Sequence, residues 1–404
     1  METETQNKEK PDAPVNARRG YALDTLAARQ SHFFEPRTGA VCTPIFQSAA
    51  FRHPALGEST GFDYSRCGNP TRQELEETIA LLEGAKYGLA FASGMGAISS
   101  IIKIFKPGAH IIVSEDLYGG TYRLFNSYYS SYGYSFSFVD TSDFSKIEKA
   151  FLPQTKGIFI ETPSNPMMKI TDIKMCAGFI HQKGGLLIAD NTFCTPYFQN
   201  PLALGADFVV HSGSKYLEGH NDTLCGFIAH SKDEYEQPLR DAQMSEGAVL
   251  SPFDSYLTLR GIKTLALRME KHWSNALAVA KWLQTNSKVK AVFYTGLESH
   301  PQYALSQKQS RGHSGMISFY VKDIRDVKKL LSGVRLILFA ESLGGVESLI
   351  TYPWVQTHEA IPEDMRRRAG VTEELVRLSI GLENPADLIA DLEQAFEGGA
   401  AGEK

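Results

Sequence analysis

The sequence has few cysteines: five in 404 residues, with no CxxC pair among Cys42, Cys67, Cys176, Cys194 and Cys225. That excludes a disulfide scaffold and leads us to expect reduced thiols in a cytoplasmic protein. No apolar run approaches the ~20 residues needed to span a bilayer. The start, METETQNKEKPDAP, has neither the apolar core of a secretory signal nor the acid-poor composition of a transit peptide. Charge of one sign is missing too. There are 41 basic and 46 acidic residues, a formal charge of -5, and one basic block, Arg366-Arg367-Arg368. Wrapping of nucleic acid or of an anionic membrane is therefore not expected. The eleven histidines are scattered without HExxH or zinc-spaced Cys/His pairs, so no metal site is expected. No GxSxG elbow anchors a hydrolase triad.

What remains is an ordinary globular composition, 43% hydrophobic and 22% charged, enough for a large core and for two to three domains. Residues 1–18 and the C-terminal GGAAGEK read as disordered tails. From Gly20 to Arg72 the pattern is irregular and punctuated by proline, too long for a plain loop, so an arm (1–72) that packs on another part of the assembly is expected. From Gln73 onward, helical spacing alternates with short apolar runs at Tyr87–Ala92, His110–Val113, Ser135–Val139, Gly157–Glu161, Gly185–Ala189 and Phe208–His211. The first glycine-rich stretch leads into a helix expected over Ala97–Phe105. Such alternation predicts βαβ units and a largely parallel sheet buried on both faces, in a domain over 73–254. A long helix is expected over Ser255–Leu283, then strands at Ala291–Tyr294, Met316–Val321 and Leu336–Ala340 and helices at Asp326–Leu331 and Pro385–Phe396. These make a smaller α/β domain over 255–404.

Four strings stand at the predicted strand ends, where such sheets keep their functional groups. His211-Ser-Gly-Ser-Lys215-Tyr216 places a lysine among small hydroxyl residues: the amine suits a carbonyl and the hydroxyls suit a phosphate. The plain alternative is a solvated loop lysine. Leu186-Leu-Ile-Ala-Asp190 ends an apolar strand on a carboxylate, which is costly to bury unpaired. It reads either as a helix cap or as the partner of a buried cation such as a protonated pyridine. Ser93-Gly94-Met95-Gly96 precedes a helix and can cradle an anion through unpaired N–H groups. Gly94-Met-Gly96-Ala-Ile-Ser99 with Glu115 also nearly matches a dinucleotide fingerprint, so an NAD(P)-dependent oxidoreductase is a rival reading, although the third glycine is absent. Glu161-Thr-Pro-Ser-Asn165-Pro holds Asn165 between two prolines. Together, an amine, a carboxylate, an amide and an anion cradle are the groups that pyridoxal phosphate requires.

With these strings and Tyr64-Ser-Arg66-x-Gly-Asn-Pro-Thr-Arg72, Leu117-Tyr118-Gly-Gly-Thr, Pro201-Leu-Ala-Leu-Gly-Ala-Asp207, Arg260-Gly-x-Lys-Thr264 and Glu341-Ser-Leu-Gly-Gly-x-Glu-Ser348, the chain resembles the Cys/Met-metabolism pyridoxal-phosphate enzymes, a family that includes the cystathionine lyases and synthases. The resemblance runs from Leu23 to Phe396. It implies an aspartate-aminotransferase-like, fold type I, α/β architecture with a mostly parallel central sheet. It implies that Lys215 holds the cofactor, Asp190 faces the ring nitrogen, Asn165 meets the ring hydroxyl and Tyr118 stacks on the ring. Gly94, Met95, Ser212 and Ser214 would bind the phosphate, and Tyr64 and Arg66 would reach the phosphate of a neighbouring subunit's cofactor, with Tyr64 also at the substrate. Ser342 and Arg377 would bind the substrate carboxylate.

The expected activity is a carbon–sulfur lyase of transsulfuration, cleaving cystathionine, cysteine or homocysteine by β- or γ-elimination. The alternative within the family is γ-replacement, as in a cystathionine γ-synthase or an O-acyl-homoserine sulfhydrylase. The expected assembly is a homodimer with shared sites, within a homotetramer. Departures from the family pattern are Glu218, Cys225, Met244 and Ser314, and Gly120 argues against a methionine γ-lyase.

Overall fold

In the computed structural model of the chain, residues 20–32, 34–35 and 37–398 are described. The expected tail over 1–18 lies outside them, as does the C-terminal stretch from residue 399. Twelve strands are seen among the described residues: β1 (Tyr87–Phe91), β2 (His110–Ser114), β3 (Ser135–Val139), β4 (Thr155–Glu161), β5 (Leu186–Asp190), β6 (Phe208–Ser212), β7 (Gly226–His230), β8 (Val289–Phe293), β9 (Met316–Val321), β10 (Leu338–Phe339), β11 (Leu349–Thr351) and β12 (Leu375–Ser379).

The first seven form one sheet in the order β1-β7-β6-β5-β4-β2-β3. The pairs β2/β3, β2/β4, β4/β5 and β5/β6 are parallel. The exception is β7, which the sequence did not announce. It runs antiparallel to both β6 and β1. Both faces of the sheet are covered. Helix Gly94–Ile102 lays Ala97, Ile98, Ile101 and Ile102 against Phe91, Val210 and Ile228. On the other face Ile173, Cys176, Ala177 and Ile180 of helix Ile173–Gln182 pack with Ile158, Ile160 and Leu187. This two-sided burial is why the strands read as continuous apolar runs.

Several boundaries differ from expectation. The helix placed at Ala97 begins at Gly94, because Ser93 caps it: Gly96 N–H donates to Ser93 Oγ at 3.1 Å. The helix placed at Gln73 begins at Pro70, with Asn69 as cap. The single long helix over Ser255–Leu283 is two helices, Pro252–Ile262 and Leu265–Thr285. The break has a local cause. Gly261 O is taken by Arg268 Nη2 at 2.9 Å and by Thr264 Oγ1 at 3.1 Å, so side chains replace the next helical donor.

The second sheet has the order β10-β11-β12-β9-β8. The strand expected over Leu336–Ala340 is the exposed two-residue β10. The sheet's centre is β12, where Arg377 interrupts the apolar pattern. Among its described residues before Asn69, the irregular arm contains one helix, Leu23–Arg29. Its remainder up to Asn69 is held by an isolated bridge between Ala50 and Tyr64 and carries exposed Val41, Ile45 and Leu56. Among the described residues no helix is long and apolar enough to cross a membrane.

Arg268 is the pin between these parts. It is 3% exposed, and besides Gly261 O it donates to Tyr216 O at 2.6 Å and Leu217 O at 3.2 Å. Replacing it with alanine strands two buried carbonyls, Tyr216 O and Leu217 O. Arg268→Ala should lower the apparent stability in urea by about 3 kcal/mol. A loss within ~0.5 kcal/mol would mean that the loop is held by other contacts.

Candidate active site

Parallel strands deliver their C-terminal residues to one edge of the sheet. Here that edge lines a cavity of about 200 Å³, walled by Gly94, Met95, Tyr118, Asn165, Asp190, Ser212, Ser214 and Lys215 among others. All eight were singled out from sequence. Lys215 lies just beyond β6. Its Nζ donates to Ser342 Oγ at 2.8 Å. Burial first, and the nearby Arg377 charge second, pull its ammonium down to about 8.

Asp190 ends β5. Its Oδ1 accepts from Thr192 N–H at 3.0 Å and Thr192 Oγ1 at 2.5 Å. Among the described residues Oδ2 has no hydrogen-bond partner. Thr192 Oγ1 also accepts from Ser212 N–H at 2.9 Å, so one threonine ties β5 to the Lys215 loop. Asn165 sits in the turn after β4, where Thr162-Pro163 and Asn165-Pro166 are both cis. Its Oδ1 accepts from Arg377 Nη1 at 2.9 Å, leaving Nδ2 as the open donor.

Arg377 is 1% exposed. It also donates through Nη2 to Ser342 O at 3.0 Å and Thr351 Oγ1 at 3.2 Å, while Nε is buried with no partner. Burial lowers the guanidinium to about 10, still a cation at neutral pH. Ser342 is held from both sides in an unusual backbone, φ 101°, a strain that its two partners must sustain.

The anion cradle is assembled by close backbone approach. A Cβ on Gly226 would lie 2.1 Å from Ser93 O, so only glycine lets β7 seat the start of helix Gly94–Ile102. The N–H groups of Gly94 and Met95 have no carbonyl a turn behind them. Ser212 Oγ beside them has no partner among the described residues. A Cβ on Gly120 would lie 2.4 Å from the Tyr118 ring. Any larger residue there would displace the ring.

These groups fit pyridoxal phosphate. The cradle offers N–H and hydroxyl donors to a dianion. Asp190 Oδ2 is free for a pyridinium N–H, Asn165 Nδ2 is free for a ring oxygen, and Lys215 offers an amine of lowered basicity to the aldehyde.

Tyr64 and Arg66 do not line this cavity. Tyr64 is 47% exposed. Arg66 Nη1 donates to Met244 O at 2.7 Å, and its guanidinium lies 5.7 Å from the Tyr64 ring. The family departures gather around the same machinery. Cys225 O accepts from Ser214 Oγ at 3.2 Å, and Met244 O is the carbonyl that holds Arg66. Glu218 is buried on the Lys215 loop and pushed up to about 7 by burial and by Asp222. Among the cavity residues given no role from sequence are Glu161, at the end of β4, and Thr192. Their signal was present, since each stands at or just past the end of an apolar strand. Glu115, the acidic residue that a dinucleotide site would need, instead pairs with Lys169 and Arg368.

Similarity to known proteins extends along nearly the whole chain. The profile of the Cys/Met metabolism PLP-dependent enzyme family matches residues 24–397. Cystathionine gamma-lyase of Dictyostelium discoideum is 45% identical over 379 residues, covering 93% of this chain and 98% of that protein. Cystathionine beta-lyase of Coxiella burnetii is 46% identical over 378 residues, covering 93% and 97%. The solved structure of cystathionine gamma-lyase from Lactobacillus plantarum complexed with L-serine matches with a TM-score of 0.91 at 40% identity, covering 94% of this chain and 99% of that one.

The lowered basicity of Lys215 has a direct readout. In cofactor-free protein, reductive methylation of Lys215 should rise with pH and level off above about 8, because the neutral amine is the reactive form. Surface lysines should keep gaining reactivity toward ~10.4. Peptide mass mapping across a pH series measures both. A Lys215 profile that tracks the surface lysines would contradict the burial argument.

Proposed function

The chain belongs to the Cys/Met metabolism PLP-dependent enzyme family, and on that premise we propose that it cleaves a carbon–sulfur bond of cystathionine by β- or γ-elimination. The observation that carries this reading is Lys215, an amine of lowered basicity in the same cavity as Asp190, Asn165 and the anion cradle. The relatives named cystathionine gamma-lyase and beta-lyase, similar over nearly their full length, supply the substrate.

Lys215 would hold the cofactor through its aldehyde, Asp190 would meet the pyridine nitrogen, and Tyr118 would cover the ring. Gly94, Met95, Ser212 and Ser214 would hold its phosphate. Bound pyridoxal phosphate supplies an electron-poor ring that takes up the electron pair left at the substrate Cα. Arg377, through its unpartnered Nε, and Ser342 orient the substrate carboxylate. As a free amine, Lys215 Nζ would accept the Cα proton and return a proton as the C–S bond breaks and sulfur leaves as a thiol. Loss of sulfur at the γ carbon requires a further proton to be taken from Cβ.

The same proposal includes the division into an arm (1–72), a cofactor-binding domain (73–254) and a C-terminal domain (255–404). It also includes a homodimer with shared sites, within a homotetramer. Two observations support the shared site: Arg66 is exposed away from its own chain's cavity, and the arm carries exposed aliphatic residues. A cytoplasmic setting is supported by five unpaired cysteines.

Product analysis tests the reaction. Cystathionine should yield pyruvate and homocysteine by β-elimination, or 2-oxobutyrate and cysteine by γ-elimination. Consumption of an O-acyl-homoserine with a thiol, and no cleavage of cystathionine, would replace the lyase reading by γ-replacement. Lys215→Ala should lose visible cofactor absorbance and about 10³-fold or more in turnover. Borohydride should fix pyridoxyl on Lys215 of the wild type, and a label on Lys183 or Lys263 would overturn that role. For the shared site, inactive Arg66→Ala and Lys215→Ala chains unfolded and refolded together should regain part of the activity. Verified mixed oligomers that stay inactive would show that each chain builds its own site.

A further inference from the structure

Glu161 is a buried, titratable group in the cavity wall for which the proposed reaction has no use. It ends β4 as Asp190 ends β5, and the two are register partners. Register partners on neighbouring strands lie about 5 Å apart and project to the same face. Both side chains line the cavity, and both are buried, at 6% and 8% exposure. Two carboxylates this close in a dry site cannot both carry charge.

The hydrogen bonds decide between them. Asp190 Oδ1 accepts two bonds from Thr192, which favours its ionised form. Glu161 Oε2 accepts one, from Tyr118 N–H at 3.1 Å. Burial first, and then the Asp190 charge, raise the Glu161 carboxyl well above its ordinary range. Asp116 opposes its ionisation as well, and against these stand the Tyr118 N–H bond and, more weakly, the Arg377 charge. Burial raises the Asp190 carboxyl too, but there the two Thr192 bonds and then the nearby His211 favour the charge.

We propose that Glu161 is a positioning residue for the cofactor: it fixes the Tyr118 backbone at the ring and supplies the neutral member of a carboxyl pair whose single negative charge belongs to Asp190. The inference rests on the cofactor roles proposed above for Tyr118 and Asp190. It explains how a strand end can carry a second carboxyl without drawing the pyridine proton away from Asp190. It also assigns Glu161 a binding role distinct from that of Asn165, four residues later on the same strand exit.

The test compares wild type, Glu161→Gln and Glu161→Ala, each stripped of cofactor and titrated with pyridoxal phosphate. Visible absorbance gives affinity, and induced circular dichroism reports how Tyr118 and the ring are arranged. Glutamine is neutral and keeps an acceptor for Tyr118 N–H. It should bind within about threefold of wild type from about pH 6 to about pH 9, with the same dichroism. Alanine removes the acceptor and should bind about tenfold or more weakly, with altered dichroism. A folded glutamine variant weakened by tenfold or more would show that Glu161 acts as an anion and overturn the proposal. A folded alanine variant indistinguishable from wild type would overturn it too. Should the alanine variant fail to fold, the glutamine variant alone decides. Wild-type protein that binds no pyridoxal phosphate would overturn the proposed cofactor roles and this inference together, whereas normal wild-type binding with a failed glutamine variant would overturn this inference alone.

Discussion

Burying Arg377 is the constraint around which the rest of the site is arranged. A guanidinium this deep is costly unless its donors are met. Here two nitrogens are met by Asn165, Ser342 and Thr351, and the third, Nε, is buried without a partner among the described residues. Each partner is thereby fixed in a task. Asn165 is turned so that its amide nitrogen is open. Ser342 is held in a left-handed backbone, with its hydroxyl on Lys215. The same positive charge helps to lower the basicity of Lys215. One cation on a strand of the second sheet thus sets the geometry of an amide and the acidity of an amine that belong to the first.

The charges around it form a balanced group. Asp190 and Glu161 bring two carboxyls, Arg377 and Lys215 two basic groups, all desolvated. A charged amine and a doubly charged carboxyl pair would both be expensive. The cheaper arrangement is a lysine that gives up its proton readily and a carboxyl pair with a single charge. Electrostatic cost and chemical usefulness point the same way here, since a carbonyl is attacked by a neutral amine.

Much of this was legible in the residues. Polar groups that end apolar strands, Asp190 above all, pointed to the sheet edge, and glycine with serine before a helix pointed to the cradle. What stayed hidden had physical reasons. β7 follows the Lys215 loop with no helix between, so the alternation of strands and helices that predicts a parallel sheet has no place for it. β12 carries Arg377 in its middle, which breaks the pattern that would mark it as buried. The break between the helices Pro252–Ile262 and Leu265–Thr285 depends on Arg268 reaching Gly261 O, a tertiary contact that periodicity does not encode. Glu161 lay within a quoted string, but its meaning comes from the register of β4 against β5, which only the folded sheet supplies.

The placement of β7 also sets an order of events during synthesis. β1 has no neighbour in its sheet other than β7, and the pairs Phe91–Gly226 and Tyr87–His230 are 135 and 143 residues apart. A chain emerging from the ribosome therefore holds β1 and its following helix without a sheet partner until residue 230 is available. Contacts of such long range form late and slowly. Because Gly226 also seats Ser93 and Gly94, the anion cradle is closed by the same late step. A shorter nascent chain has no finished place for a phosphate, so the cofactor can act as a clamp on the completed sheet and not as a template for its growth.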